Sequence, residues 1–296
     1  MELTKLTDIN QALKIIDHAD KFCKDFDPSS NCAEYLINKI NADGSTTYIA
    51  TKDNDICALG ILEIMDRMYG NLILHCIEED DEKAFAEALK NIIEKNILEL
   101  IQFRSSFNYR DTFINLGFRE KERVRMIHNN IKLFEDDPVL SQVNFKKLEK
   151  SDNAICGVIS FNAHKHRQHI ECYDVYNSEQ NRAIFANDLR SKKHGSPIET
   201  ASLLMYYDKQ PIGLIEVVNI LHFDTNIGWI MDVAILPQFQ GMGLGKHIIK
   251  KSLGEASKAG YESVGLGVTL TNKGAYQLYN ELGFEEYEVF VEIIGT

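Results

Sequence analysis

The chain has no apolar run approaching the roughly 18 residues that would span a bilayer, so no membrane segment is expected. Its opening, MELTKLTDINQALK, lacks the charged-then-apolar plan of a secretory signal, and a soluble, cytoplasmic protein is expected. No C-x-x-C pair occurs either. The six cysteines (Cys23, Cys32, Cys57, Cys76, Cys156, Cys172) are scattered through a chain large enough to build a core without staples, so reduced thiols are expected and none stands out as a nucleophile. Positive charge is also short. Against 44 acidic residues stand 32 Lys and Arg, a net charge of −12. Residues 1–140 carry −9 of it (17 basic, 26 acidic) and residues 141–296 carry −3 (15 basic, 18 acidic). That balance argues against a nucleic-acid partner. What remains is ordinary globular composition, 44% hydrophobic and 26% charged, which removes the disordered and fibrous classes. At 296 residues, two domains of about 150 each are expected.

An internal repeat organises the chain. Leu116-Gly117-Phe118 with REKERVRMI and Leu282-Gly283-Phe284 with EEYEVFVEI lie 166 residues apart and agree also at Glu120/Glu286, Glu122/Glu288 and Ile127/Ile293. Upstream of each stands the same order of elements. The first half reads TTYIATKDNDICALGILEIM, NLILHCI, the helix DEKAFAEALKNIIEKN, the strand LELIQF and the helix NYRDTFINLGF. The second reads TASLLMYYDKQPIGLIEVVNIL, GWIMDVAIL, the helix GKHIIKKSLGEASKAG, the strand SVGLGV and the helix NKGAYQLYNELGF. Val/Ile/Tyr alternation marks the strands, and apolar spacing at Leu244, Ile248 and Leu253 marks an amphipathic helix. Each half is therefore expected to be an α/β unit around a mixed sheet. The acidic, Pro-containing FEDDPVL (134–140) reads as the joint, which predicts domains at 1–135 and 143–296 with a linker at 136–142.

Where the strand GWIMDVAIL gives way to a helix stands Pro237-Gln238-Phe239-Gln240-Gly241-Met242-Gly243-Leu244-Gly245-Lys246. Alternating glycines allow close backbone approach, and a helix entrance offers unpaired N–H groups and a positive dipole end. Those are the requirements for gripping a pyrophosphate. A nucleoside-triphosphate loop would need glycine at 240 and a hydroxyl after Lys246, where Gln240 and His247 stand. A dinucleotide fingerprint would need glycine at 246.

The second half resembles the GCN5-related N-acetyltransferase family. That family's acetyl-CoA signature, Arg/Gln-x-x-Gly-x-Gly/Ala, reads here as Gln240-Gly241-Met242-Gly243-Leu244-Gly245. Its second hallmark, Asn…Ala-x-x-Leu-Tyr-x-x-x-Gly-Phe, reads as Asn272, Ala275, Gln277-Leu278-Tyr279 and Gly283-Phe284, with Tyr276 as a one-residue shift after Ala275. The resemblance covers about residues 143–296. It implies two tandem acyl-CoA N-acyltransferase folds, each a twisted mixed sheet flanked by helices, with acetyl-CoA as co-substrate. The first half departs from the pattern at both chemical positions. No glycine occurs between Gly70 and Gly117, the cradle's slot carries Glu78-Glu79-Asp80-Asp81-Glu82, and Phe113 stands where Tyr279 would be. Adjacent carboxylates repel a polyphosphate, so residues 1–135 are expected to be a degenerate copy that does not use the cofactor. The same acidic run also suits a helix N-terminus.

Acetyl transfer to an amine needs a neutral amine, a stabilised oxyanion and a proton for the departing thiolate. The resemblance implies direct attack in a ternary complex. The thioester carbonyl would be gripped by main-chain N–H groups of Val233, Ala234 and Ile235, and the diphosphate by Gln240 through Lys246. Tyr279 would be the general acid, since a phenol of pKa about 10 can protonate a thiolate whose acid has a pKa of about 8.5. The alternative is a buried packing aromatic, a role that suits Tyr276 better. Asn272 opens the helix, as its cap or as a partner of the pantetheine arm. Many relatives carry a glutamate on the strand before this helix, but SVGLGVTLTN has Gly265 and Gly267 and no acid. Asp232 is the first candidate base, Glu216 the second, and a water chain the alternative.

His164, His166, His169, Glu171 and Cys172 look like metal ligands, but their spacing is not that of structural zinc, and Lys165 and Arg167 place positive charge among them. No metal is expected. In the family this segment often lines the acceptor pocket. The function expected is therefore an acetyl-CoA-dependent N-acetyltransferase, an acyltransferase acting on a small-molecule or peptide amine. The alternative is a non-catalytic acyl-CoA-binding sensor. Net negative charge suits a cationic acceptor, but neither its identity nor the oligomeric state is legible.

Overall fold

The computed structural model describes residues 1–26, 32–64, 69–95, 100–105, 109–131, 142–165, 178–222 and 225–294. The chain forms two compact units, residues 1–121 with 291–296, and residues 122–290. Among the described residues no helix is long and apolar enough to cross a membrane.

In order the chain forms β1 (Glu2–Lys5), α1 (Leu13–Phe26), α2 (Cys32–Ile40), β2 (Ser45–Lys52), β3 (Asp55–Ile64), β4 (Tyr69–Cys76), α3 (Glu82–Lys95), β5 (Leu100–Ser105), α4 (Tyr109–Asn115) and β6 (Arg119–Asn129). There follow β7 (Val143–Lys147), α5 (Asn153–His164), α6 (Glu179–Arg190), β8 (Ser196–Pro197), β9 (Leu203–Tyr207), β10 (Gln210–His222), β11 (Thr225–Ile235), α7 (Leu244–Lys258), β12 (Ser263–Thr269), α8 (Lys273–Glu281) and β13 (Glu285–Ile294). In the first unit β1-β2-β3-β4-β5 lie side by side, antiparallel except for the parallel pair β4–β5. The second repeats this pattern as β7-β9-β10-β11-β12, antiparallel except for the parallel pair β11–β12. A parallel step needs a crossover, and α3 and α7 supply it.

The repeat extends to the hydrogen bonds that close α4 and α8. Phe118 N donates to Phe113 O at 3.1 Å, and Phe284 N to Tyr279 O at 3.0 Å. Gly117 and Gly283 both hold left-handed backbone, φ 97° and 89°, the glycine C-cap that ends a helix and sends the chain back into a strand. In each copy the rings five residues apart meet edge to face, Phe113 with Phe118 at 5.4 Å and Tyr279 with Phe284 at 5.8 Å.

The strand after each cap does not stay with its own half. β6 pairs antiparallel with β12, from Arg123↔Thr269 to Asn129↔Ser263. The end of β13 pairs with β5, Glu292↔Gln102 to Ile294↔Leu100. Each unit thus completes its sheet with the other half's terminal strand, and the division falls at 121/122 and 290/291. The joint expected at 136–142 lies, but for residue 142, outside the described residues.

The second unit's main core joins Val124 and Met126 of β6 to Ile215 and Val217 of β10, Ile230 of β11, Ile248 and Leu253 of α7, Leu266 of β12 and Tyr279 of α8. A smaller core packs α5 on the other face of the sheet, through Cys156, Ile159 and Ala163 against Leu214 and Ala234. Cysteine departs from expectation at one place. Cys32 is disulfide-bonded, while Cys57, Cys76 and Cys156 are buried and outside any disulfide. Spacing in sequence does not reveal which thiols a fold brings within disulfide reach.

Candidate functional site

Two irregularities in the second sheet make room where a continuous ladder would leave none. First, β10 and β11 slip register between Glu216↔Asp232 and Val217↔Ile230, which leaves Met231 as an extra residue on β11. A bulge of this kind bends its strand and re-aims the side chains beyond it. Second, β11 and β12 pair over three residues only, Gly228–Ile230 with Val264–Leu266, although the strands run on to Ile235 and Thr269. Beyond the bulge, the edge carrying Val233, Ala234 and Ile235 therefore turns away from β12. Backbone amides at such an edge need an outside partner.

β11 ends in the turn Pro237–Phe239, and the loop leads into α7. Gln240 Nε2 donates to Ile235 O at 2.7 Å, so this side chain ties the loop to the strand end. Gly241 and Gly243 both hold left-handed backbone, φ 78° and 77°, and a Cβ at either would meet nothing within 4 Å. Both glycines therefore face open space. His247 N donates to Gly243 O at 3.1 Å. The amides of Leu244, Gly245 and Lys246 precede that bond and have no acceptor within the helix. Leu244 itself is buried in the core, Met242 is exposed, and Lys246 Nζ lies 3.3 Å from Glu281 Oε2.

Tyr279 is buried on α8 and packs with the main core. The Tyr276 hydroxyl instead donates to the Glu286 carboxylate. Asn272 precedes α8, but its side chain makes no capping bond. Of the two glycines of β12, Gly265 is a packing requirement, whereas Gly267 faces the movable end of an arginine. A Cβ at Gly265 would stand 2.5 Å from the Trp229 ring, and one at Gly267 would stand 3.2 Å from Arg123 Nη2.

A buried polar group lies on the α5 side of the sheet, where β10 and β11 place Glu216 and Asp232 opposite one another. Asp232 accepts a bond from Ser160 Oγ at 2.5 Å, and His164 Nε2 lies 3.3 Å from its other oxygen. Burial pushes the Asp232 carboxyl up, but the His164 hydrogen bond, the Arg182 charge and the Ser160 hydroxyl outweigh it and hold it at about 2. Glu216 moves the other way. Burial pushes it up to about 7 against the pull of Arg190, with the charge of Asp232 adding to the rise. Its partner Arg190 Nη1 is 2.8 Å away, and neither side chain is more than 9% exposed. Burial likewise pushes the Cys156 thiol up to about 12, which leaves it inert. Sequence reading missed Ser160, Arg182 and Arg190. The i, i+4 spacing of Ser160 and His164 was the available signal for one helix face.

Among the described residues no group of three His, Cys, Asp or Glu could hold a metal. His166, His169, Glu171 and Cys172 lie outside those residues. In the first unit the acidic run is not simply a solvated wall. Asp81 and Glu82 are buried at the start of α3, where Lys52 Nζ reaches Asp81 at 2.7 Å and Thr112 Oγ1 donates to Glu82 at 2.7 Å.

A model of the acetyltransferase (GNAT) family matches residues 173–284. An uncharacterised N-acetyltransferase of Methanocaldococcus jannaschii is 43% identical over 60 residues, 20% of this chain and 26% of its own length. The match thus spans about a quarter of that relative. Among solved structures, a GCN5-related N-acetyltransferase from Sphaerobacter thermophilus superposes with a TM-score of 0.62 at 13% identity, over 98% of this chain and 94% of its own. A tandem GNAT protein from the clavulanic acid biosynthesis pathway superposes with a TM-score of 0.56 at 9% identity, over 99% and 98%. At such identities the likeness is one of fold. Residues 173–284 are thus similar to the acetyltransferase (GNAT) family, whose model they match.

Proposed function

We propose that the protein is an acetyl-CoA-dependent N-acetyltransferase whose second unit carries the reaction. One observation carries this reading. β11 leaves β12 at its bulge, and the strand so opened leads into a glycine loop whose amides have no partner in the helix that follows. A pantetheine arm lying along that edge would pair with the main chain at Val233, Ala234 and Ile235. The diphosphate would take the amides of Gly241 through Lys246, where helix dipole and N–H groups both favour negative charge. Gln240 shapes the loop, and the Asn272 side chain, which makes no capping bond, is available to the arm.

The amine nitrogen attacks the thioester carbonyl, whose developing charge the β11 amides receive. As the carbon–sulfur bond breaks, the Tyr279 hydroxyl supplies the thiolate's proton. The first unit takes no cofactor in this reading. There β4 and β5 pair over six residues, up to Leu74, two short of the strand's end, and β3 and β4 keep register without a slip. The edge is closed, inward-facing carboxylates occupy the helix entrance, and Phe113 has no proton to give.

Thiol release from acetyl-CoA with a panel of amines tests the reading. Turnover with at least one amine is expected, and Tyr279→Phe should cut kcat by about 100-fold or more while leaving acetyl-CoA binding intact. Unchanged turnover in that variant would remove Tyr279 from the acid's role. Saturable binding with no release on any amine would favour the acyl-CoA sensor, for which the missing acid on β12 speaks.

A further inference from the structure

The proposed reaction still lacks a group to take the amine's proton. Ser160 and His164 stand one turn apart on α5 and both bond the same buried carboxylate, Asp232. That uses one ring nitrogen of His164. The other, Nδ1, is buried and makes no hydrogen bond among the described residues.

We propose that His164 Nδ1 is the general base that accepts the proton of the attacking amine, with Asp232 as the positioning residue that holds the ring with its proton on Nε2. The inference rests on the acetyl-transfer reading above. A neutral imidazole has one donor and one acceptor nitrogen, and a carboxylate facing Nε2 fixes the donor there, which leaves the lone pair on Nδ1. Asp232, expected from the sequence as the base, is unsuited to that task because its carboxyl is held at about 2. It is well suited to orienting an imidazole and to stabilising the imidazolium that forms. A buried acceptor without a donor is rare in a folded protein, and a primary amine is a donor of the right kind. Asp232 also directly precedes Val233, so the pair stands beside the strand edge read as gripping the thioester.

Among the described residues, the charged and titratable groups that act on Asp232 and Glu216 beside it are His164 on α5 and Arg182 and Arg190 on α6. In the step itself the nitrogen–carbon bond forms, the amine's N–H proton passes to Nδ1, the carbon–sulfur bond breaks and the thiolate takes the Tyr279 proton. Acetamide and coenzyme A thiol leave. Solvent then carries one proton from the imidazolium to the tyrosinate, and the cycle closes.

Two measurements on the full chain test this. Nitrogen-15 spectra of histidine-labelled protein read the tautomer of His164, identified by its loss in His164→Asn. Acetyl-CoA binding and thiol release with spermidine, glucosamine and glycinamide are followed from about pH 6 to about pH 9 in the wild type, His164→Asn and Asp232→Asn. The ring should carry its proton on Nε2. His164→Asn should lower kcat/KM for the amine by about 100-fold or more with acetyl-CoA binding unchanged, and the loss should shrink as rising pH neutralises the amine. Asp232→Asn should lower kcat less and release the ring from the tautomer protonated on Nε2, because the carboxylate that fixes the donor there is gone. The proposal is overturned by a proton on Nδ1 with Nε2 bare, by wild-type turnover in His164→Asn at every pH, or by loss of acetyl-CoA binding in that variant. If Asp232→Asn does not fold or no amine reacts, the tautomer decides. A wild type that does not bind acetyl-CoA instead brings down the acetyl-transfer reading itself, a result separable from the others because each of them requires a wild type that binds.

Discussion

His75 shows how a single side chain couples the first unit's stability to pH. It is buried on β4 with its Nε2 2.9 Å from His18 Nδ1, and burial, then the neighbouring His18, lower its pKa from 6.5 to about 4. In the unfolded chain the same ring protonates near 6.5. Between those values the unfolded state binds the extra proton, so stability is present above about pH 6.5 and falls as acid is added, by up to about 3 kcal/mol. Urea unfolding at pH 7 and about pH 4.5 should show a larger loss in the wild type than in His75→Gln. Equal losses would contradict the assignment. What is legible of the candidate site lies in the backbone or in local spacing, such as the left-handed backbone of Gly241 and Gly243. Asp232 was singled out for its position beside the strand expected to bind the thioester carbonyl. Its bonds to Ser160 and His164 join residues 68 and 72 positions away, and no local pattern records such a distance.

At the scale of elements, the order of strands and helices was legible because period-2 and period-3.6 patterning is local. The exchange of β6 and β13 was not, because the partner of a strand is chosen by a non-local fit that two similar halves leave open. The exchange has a consequence for cutting the chain. A fragment of residues 143–296, the boundary the sequence suggested, lacks β6 and leaves the edge of β12 from Ser263 to Thr269 unpaired. It also exposes the core surfaces covered by Val124 and Met126. Such edges recruit other chains. We expect 143–296 to aggregate or to exchange strands between copies, whereas residues 119–290 should be monomeric and show cooperative unfolding by size-exclusion chromatography and circular dichroism. A well-behaved monomer of 143–296 would contradict the exchange. The bulge at Met231 was equally hidden, since nothing in GWIMDVAIL distinguishes a slipped register from a regular one.

The whole molecule holds two copies of one strand order, and the proposed function puts the ligand in the second alone. Reduced to one quantity, the account predicts how many acetyl-CoA molecules a chain binds. Titration calorimetry of the full chain with acetyl-CoA measures that number directly. The predicted result is one site per chain, lost in Gly243→Glu, where side-chain bulk and negative charge enter the loop, and retained in Asp80→Asn at the corresponding helix entrance of the first unit. The Gly243→Glu variant should keep the wild-type circular dichroism. No binding, two sites per chain, or unchanged affinity in Gly243→Glu would contradict the account.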